Sequence, residues 1–147
     1  MVEFDLSKPY CYYFNEICKI PHGSYNEKAL SDYFVEFAKE HNLKYVQDEA
    51  RNVVIYKNAT PGYESLPGMI IQGHMDMVAV CDSDYDGDMK TDGLKLAVDG
   101  DYLLAEKTTL GADDGILAVE RLLEAEDDEL DCRVFVAFVG LHLSSDV

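Results

Sequence analysis

Residues 69–78 read MIIQGHMDMV, an apolar run that ends in a glycine and a His-x-Asp pair. A short apolar run of this kind predicts a buried strand, here residues 69–72. Alternation along an extended chain places His74 and Asp76 on one side, where the carboxylate can orient an imidazole that binds a metal ion. By itself the pair is weak evidence and favours a polar strand end with a solvated histidine, so the metal site needs support from a second element.

The sequence around this segment predicts an α/β fold with a mixed β-sheet and flanking helices. Apolar residues at helical spacing predict two N-terminal helices, at residues 9–20 and, after a capping-box pattern at Ser24 to Glu27, as far as residues 41–42. A third helix is predicted from Asp113 to about residue 127. Strands are predicted at residues 43–46, 52–57 and 132–139, and a hairpin at residues 94–106 around Asp99-Gly100.

A second chemical element, GADDG at residues 111–115, lies at the start of the third predicted helix. Asp113 and Asp114 are adjacent carboxylates between small residues, which let the backbone approach an ion closely. Acidic residues are also favoured at any helix start through capping and the helix dipole. Because ligands of α/β folds collect at the carboxyl ends of strands, this element and the His-x-Asp pair can belong to one site.

Composition narrows the class of protein. The chain has 147 residues, the size of one domain, and a net charge of −17 that would repel nucleic acid and anionic membranes. Four cysteines without a CxxC pair, no signal-peptide pattern and no apolar run of about 20 residues predict a soluble protein of the reducing cytoplasm.

Two further polar features favour ordinary structural interpretations. Residues 82–87, DSDYDG, imitate the start of a calcium-binding EF-hand loop, but position 12 of that loop is Gly93 rather than glutamate. A solvated acidic loop is therefore favoured. His142 has no carboxylate at His-x-Asp spacing and is predicted to be an ordinary exposed histidine.

The amino-acid sequences of these motifs resemble those of a known family. IIQGHMDMV followed by TTLGADDGI, together with ICKIPHGSYNEKALSDYFVEFAKEHNL and VDGDYLLAEKTTLGADDG, is similar to the N-terminal catalytic region of aminoacyl-histidine (Xaa-His) dipeptidases. These are cytosolic members of a di-zinc metallopeptidase superfamily that includes aminoacylase and carnosinase. The resemblance covers roughly residues 10–138. It implies that residues 1–147 are the N-terminal portion of the metallopeptidase catalytic domain.

The resemblance also implies a role for each candidate residue. His74 looks like a ligand of one zinc ion, and Asp113 looks like the carboxylate that bridges two zinc ions. Asp76 looks like the catalytic-site carboxylate that orients His74, and the peptide bond between Asp113 and Asp114 is expected to be cis. The implied activity is zinc-dependent hydrolysis of short peptides such as Xaa-His dipeptides, with no nucleic-acid or membrane partner.

The sequence departs from the family pattern near its end. The family's Glu-Glu pair, which supplies the general base and a zinc ligand, has no counterpart, because no glutamate follows Glu129. The distal histidine ligand and the lid or dimerisation domain are also missing, and His22 replaces a usual arginine. We therefore expect a truncated chain, weak or partial zinc binding, doubtful activity and marginal stability. The alternative is a non-catalytic metal-binding or scaffold protein, or a remnant.

Overall fold

The computed structural model describes residues 4–115 and 132–140 of the chain. In that part of the chain, two helices precede a set of six strands. Their bounds are α1 Pro9–Cys18, α2 Lys28–Glu40, β1 Lys44–Gln47, β2 Val53–Lys57, β3 Met69–His74, β4 Leu96–Asp99, β5 Tyr102–Ala105 and β6 Val134–Val139. The predicted mixed sheet with flanking helices is confirmed.

The four-stranded sheet has the order β1-β2-β6-β3. β1 runs antiparallel to β2, β2 runs antiparallel to β6, and β3 runs parallel to β6. The register of the parallel pair aligns His74 with Val139, at the carboxyl end of both strands. This is the sheet edge at which α/β folds collect ligands, so the topology supports a site at His74.

The core lies between this sheet and the two helices. Alternate residues of β2 and β6 point into it, as the period of a strand requires, and meet apolar residues of α1 and α2. The rings of Phe34 and Phe138 stack at a centroid separation of 3.7 Å, and both side chains are fully buried. Phe138 also pairs with Gly73, so this core supports the strand that ends in His74.

Two local predictions about these elements are wrong. The capping box is not formed, because α2 begins at Lys28 with Glu27 at its N-cap, and the Glu27 side chain instead accepts a hydrogen bond from the Tyr25 amide at 2.7 Å. The strand at residues 69–72 is not buried throughout, since Ile70 is 73% exposed. β3 pairs only with β6 among the described residues and is therefore an edge strand there.

The remaining elements follow the predicted pattern where the structure describes them. β4 and β5 form the predicted hairpin, whose turn places Gly100 in the left-handed region at φ 61°. Residues 112–115 are helical, and the rest of the predicted third helix lies outside the described residues, as does His142. The helices of the described segments are all too short or too polar to cross a membrane.

Candidate metal site

His74 is held at the end of β3 by bonds to two neighbouring segments. Its backbone N–H donates to Asp114 Oδ2 at 3.2 Å. Its ring Nδ1 lies 3.0 Å from the backbone carbonyl oxygen of Asp76 and 3.4 Å from Asp76 Oδ1. Both neighbours of Nδ1 are acceptors, and the 3.0 Å contact there is shorter than the 3.4 Å between Nε2 and Asp113 Oδ1, so a neutral ring favours the proton on Nδ1 and the lone pair on Nε2.

Asp113 lies next to Nε2 of the His74 ring. Its Oδ1 is 3.4 Å from His74 Nε2, and its side chain is 98% exposed. The peptide bond between Asp113 and Asp114 is cis, as the resemblance implied. The two adjacent carboxylates therefore contact different parts of His74. Asp113 faces the ring, and Asp114 accepts a hydrogen bond from the backbone amide.

Asp76 is the buried member of the site, with only 4% of its surface exposed. Its Oδ2 accepts a hydrogen bond from the Ser24 hydroxyl at 2.6 Å. Its Oδ1 accepts no hydrogen bond from the described residues and is the carboxylate oxygen that lies 3.4 Å from His74 Nδ1. A buried carboxylate that is not fully hydrogen-bonded is costly, so this arrangement favours a proton donor or a cation next to Oδ1.

The loop after β3 is fixed to two other segments by backbone hydrogen bonds. The Met77 amide donates to the His22 carbonyl at 3.0 Å, and the Ser24 amide donates to the Met77 carbonyl at 3.1 Å. On the other side, the Thr109 hydroxyl donates to the Val78 carbonyl at 2.6 Å. These bonds join the segments that carry Ser24, Asp76 and Asp113 into one local structure.

A close approach of two loops brings Asp113 to His74. Gly111 has a φ of 69°, and a Cβ atom at this position would lie 2.8 Å from Met77 Sδ. Glycine satisfies both requirements, because it has no Cβ and adopts positive φ readily. The glycine in GADDG thus explains how the second element reaches the first.

His22 is a buried histidine beside Asp76. Its Nδ1 lies 2.6 Å from the carbonyl oxygen of Ile20, and its exposed fraction is 3%. Burial lowers the pKa of His22 below its ordinary value, while the hydrogen bond with Ile20 and the negative charge of Asp76 act in the opposite direction. His22 is therefore predominantly neutral at neutral pH and does not compensate the charge of Asp76.

The donor atoms fit a zinc ion in part. Two ligands at ~2.1 Å from a tetrahedral zinc ion are about 3.4 Å apart, and His74 Nε2 and Asp113 Oδ1 are separated by 3.4 Å. An imidazole whose Nδ1 faces a carboxylate is also the usual form of a zinc-binding histidine. However, residues 4–115 and 132–140 contain no group of three or more potential ligands that could hold a metal ion. Within these described residues, two candidate ligands face each other, whereas a zinc site needs three or four.

The acidic loop at residues 82–92 shows a different kind of bonding. Asp92 Oδ2 accepts a hydrogen bond from the Asp88 amide at 2.8 Å, and the Lys107 ammonium lies 3.0 Å from Asp84 Oδ2. Carboxylates that bond their own loop or a lysine are not directed at a common centre. This pattern agrees with the predicted solvated loop.

Sequence reasoning missed three residues that build the site. The sequence predicts a capping box at Ser24 and pairs Asp114 with Asp113, and it indicates no role for Thr109. Ser24 follows Gly23, and a Cβ atom added at Gly23 would lie 2.9 Å from the Cβ of Ala79. The glycine therefore marks a close contact between two segments. No local pattern identifies the other segment, because Ser24 and Asp76 are 52 residues apart.

Comparison with known proteins gives the class of this fold. No family model matches the chain. The fold is similar to that of a dinuclear metal-binding peptidase of the M20 family from Bacillus subtilis, with a TM-score of 0.51 at 15% identity over 88% of this chain and 34% of the other. The fold is therefore that of M20-type peptidases.

Two dipeptidases are more similar to the chain in sequence. The chain is 38% identical over 117 residues to the cytosol non-specific dipeptidase of Escherichia coli K12, covering 80% of this chain and 24% of the relative. The crystal structure of aminoacylhistidine dipeptidase from Vibrio alginolyticus matches with a TM-score of 0.85 at 36% identity, over 92% of this chain and 28% of that one. The chain is therefore similar in sequence and fold to these dipeptidases, and it spans about a quarter of the length of the two relatives.

Proposed function

We propose that this chain carries part of the active site of a zinc-dependent dipeptidase. In this proposal His74 is a zinc ligand through Nε2, Asp113 is the carboxylate that bridges two zinc ions, and Asp76 positions the His74 ring. The observation that carries it is the 3.4 Å separation between His74 Nε2 and Asp113 Oδ1, on a ring whose Nδ1 is turned to Asp76.

The relatives support the reaction and the metal class. The Escherichia coli and Vibrio alginolyticus proteins are dipeptidases by name, and the Bacillus subtilis protein is described as dinuclear metal-binding. Zinc is the metal we propose, since imidazole and carboxylate are its usual ligands in peptidases. The proposed substrates are short peptides such as Xaa-His dipeptides. The proposed location is the cytoplasm, as the name of the Escherichia coli relative suggests.

In this proposal the described residues hold and orient ligands of the metal site. A bound pair of zinc ions would polarise the scissile carbonyl and lower the pKa of a water molecule. Asp76 and its backbone carbonyl keep the proton of His74 on Nδ1, so that Nε2 presents a lone pair. Asp113 adds a negative charge on the same side of the ring. The family resemblance assigns the general base to a glutamate pair, and residues 130–147 contain no glutamate.

A zinc competition titration tests this assignment. A chelating dye of known affinity measures the dissociation constant of zinc for the 147-residue polypeptide and for four variants. With two ligands, we expect weak binding, which His74→Ala removes and Asp113→Asn weakens strongly. Asp114→Asn is the matched comparison for the adjacent carboxylate, and we expect a smaller effect because Asp114 bonds only the His74 backbone within the described site.

A remote histidine provides the control. His41 is an exposed histidine next to the C-terminal end of α2, and its Nδ1 lies 2.8 Å from the Phe37 carbonyl oxygen. His41→Ala should leave zinc binding unchanged. A zinc site that survives His74→Ala, or that is lost with His41→Ala, would refute the assignment.

A further inference from the structure

We infer that Ser24 is a positioning residue of the metal site, acting on His74 through Asp76. The inference rests on the proposed function for its link to zinc, but its first step concerns only the side chains of this chain. Ser24 belongs to the loop between α1 and α2, far in sequence from the two motifs that suggested a site.

The Ser24 hydroxyl fixes one oxygen of Asp76. It donates to Asp76 Oδ2 at 2.6 Å, a short bond of the kind a hydroxyl makes with a carboxylate. Asp76 is 4% exposed, and its Oδ1 accepts no hydrogen bond from the described residues. The orientation of the carboxylate about its own axis is therefore set by Ser24.

That orientation determines what the His74 ring faces. With Asp76 Oδ2 bound to Ser24, Asp76 Oδ1 lies 3.4 Å from His74 Nδ1. Nδ1 then has two acceptors near it, this charged oxygen and the backbone carbonyl oxygen of Asp76 at 3.0 Å. A negative acceptor on this side favours the tautomer with the proton on Nδ1. Loss of the hydroxyl lets the carboxylate rotate, and the ring loses part of this preference.

The loop around Ser24 is held independently of its hydroxyl. The Ser24 amide donates to the Met77 carbonyl at 3.1 Å, and the Met77 amide donates to the His22 carbonyl at 3.0 Å. Ser24 itself is exposed, so its replacement removes little buried surface. A side-chain substitution should therefore change the hydrogen bond to Asp76 while these backbone contacts remain.

Three variants separate the hydroxyl from the shape of the side chain. Ser24→Ala removes the hydroxyl, and Ser24→Thr keeps it. Ser24→Val has the shape of threonine without the hydroxyl, so the Thr and Val variants remain a matched pair if the Ala variant folds poorly. Ser65→Ala, at an exposed serine in the loop between β2 and β3, is the control.

The first measurement is the ¹⁵N NMR spectrum of the His74 ring in the zinc-free chain, at a pH where imidazole is neutral. The second is the zinc dissociation constant from the competition titration. We expect Ser24→Ala and Ser24→Val to lower the fraction of the Nδ1–H tautomer and to weaken zinc binding about tenfold, in the range for partners of metal-binding histidines. Ser24→Thr and Ser65→Ala should resemble the unsubstituted chain.

An unchanged His74 tautomer in both Ser24→Ala and Ser24→Val would overturn the inference, because the backbone carbonyl of Asp76 would then suffice to orient the ring. This result is distinguishable from failure of the proposed function. If His74→Ala has no effect on zinc binding, the proposed function fails, whereas the tautomer in the zinc-free chain still decides the role of Ser24.

Discussion

Replacement of Gly111 by alanine tests whether the close approach of the two loops is built as described. The new Cβ would lie 2.8 Å from Met77 Sδ and 3.3 Å from Met77 Cβ and Cε. Met77 is 3% exposed and has little room to move, so overpacking should cost ~1–3 kcal/mol. The left-handed backbone at φ 69° adds roughly 1–2 kcal/mol for alanine. A smaller unfolded-state entropy returns ~0.4–1 kcal/mol, which leaves a loss of about 1–5 kcal/mol.

Gly100→Ala separates the cost of overpacking from the cost of the left-handed backbone. Gly100 has a similar φ of 61°, but a Cβ there would meet nothing within 4 Å. It should therefore lose only about 1 kcal/mol, through the backbone. Urea denaturation of both variants gives the free energy of unfolding by linear extrapolation. Met77→Ala added to Gly111→Ala should show a favourable coupling of ~1–3 kcal/mol in a double-mutant cycle. Equal losses for Gly111→Ala and Gly100→Ala, with no coupling to Met77, would refute the reasoning.

Three further predictions concern protonation, cysteine reactivity and catalysis. Burial lowers the pKa of His22 in the folded chain. As the pH falls, His22 therefore takes up a proton in the unfolded chain before it does so in the folded chain, and the free energy of unfolding should fall below pH ~6.5. His22→Gln should flatten this dependence between about pH 7.5 and 5.5 more than His41→Gln does, and equal pH profiles would contradict it. Burial raises the pKa of Cys18 to about 12, whereas Cys81 is exposed, so mass spectrometry after brief iodoacetamide treatment should find Cys81 alkylated and Cys18 protected until urea is added. Early alkylation of Cys18 would show that the α1 side of the core opens readily. The 147-residue polypeptide should not hydrolyse an Xaa-His dipeptide, and joining the Escherichia coli dipeptidase continuation after Phe138 should give a metal-dependent activity that Asp113→Ala abolishes. Chelator-sensitive hydrolysis by the polypeptide itself would contradict this prediction.

The parts of the fold that sequence predicts are those governed by local periodicity. The helix α2 follows from apolar spacing, and the hairpin of β4 and β5 follows from Asp99-Gly100, because a residue with positive φ is needed in its turn. The meeting of His74 with Asp113 is also accessible from sequence, since both lie where α/β folds place ligands and Gly111 permits close approach.

The remaining features depend on contacts between distant segments. The hydrogen bond of Ser24 with Asp76 joins two loops that no periodic pattern relates, and the capping-box pattern at the same serine indicated a different role. The contact of Asp114 with the His74 amide is of the same kind. Ile70 is exposed because it pairs with Phe135 and so lies on the sheet face opposite the buried Val136, and the composition of β3 does not encode which face is covered.

The most direct test of the metal-site assignment follows the imidazole nitrogens during a zinc titration of the ¹⁵N-labelled chain. Long-range ¹H–¹⁵N spectra distinguish the two nitrogens of each ring, and His74→Gln assigns those of His74. We predict that zinc shifts His74 Nε2 while Nδ1 keeps its proton, and that Asp113→Asn moves this change to higher zinc concentration. A first response at another histidine, or coordination of His74 through Nδ1, would contradict the proposed site.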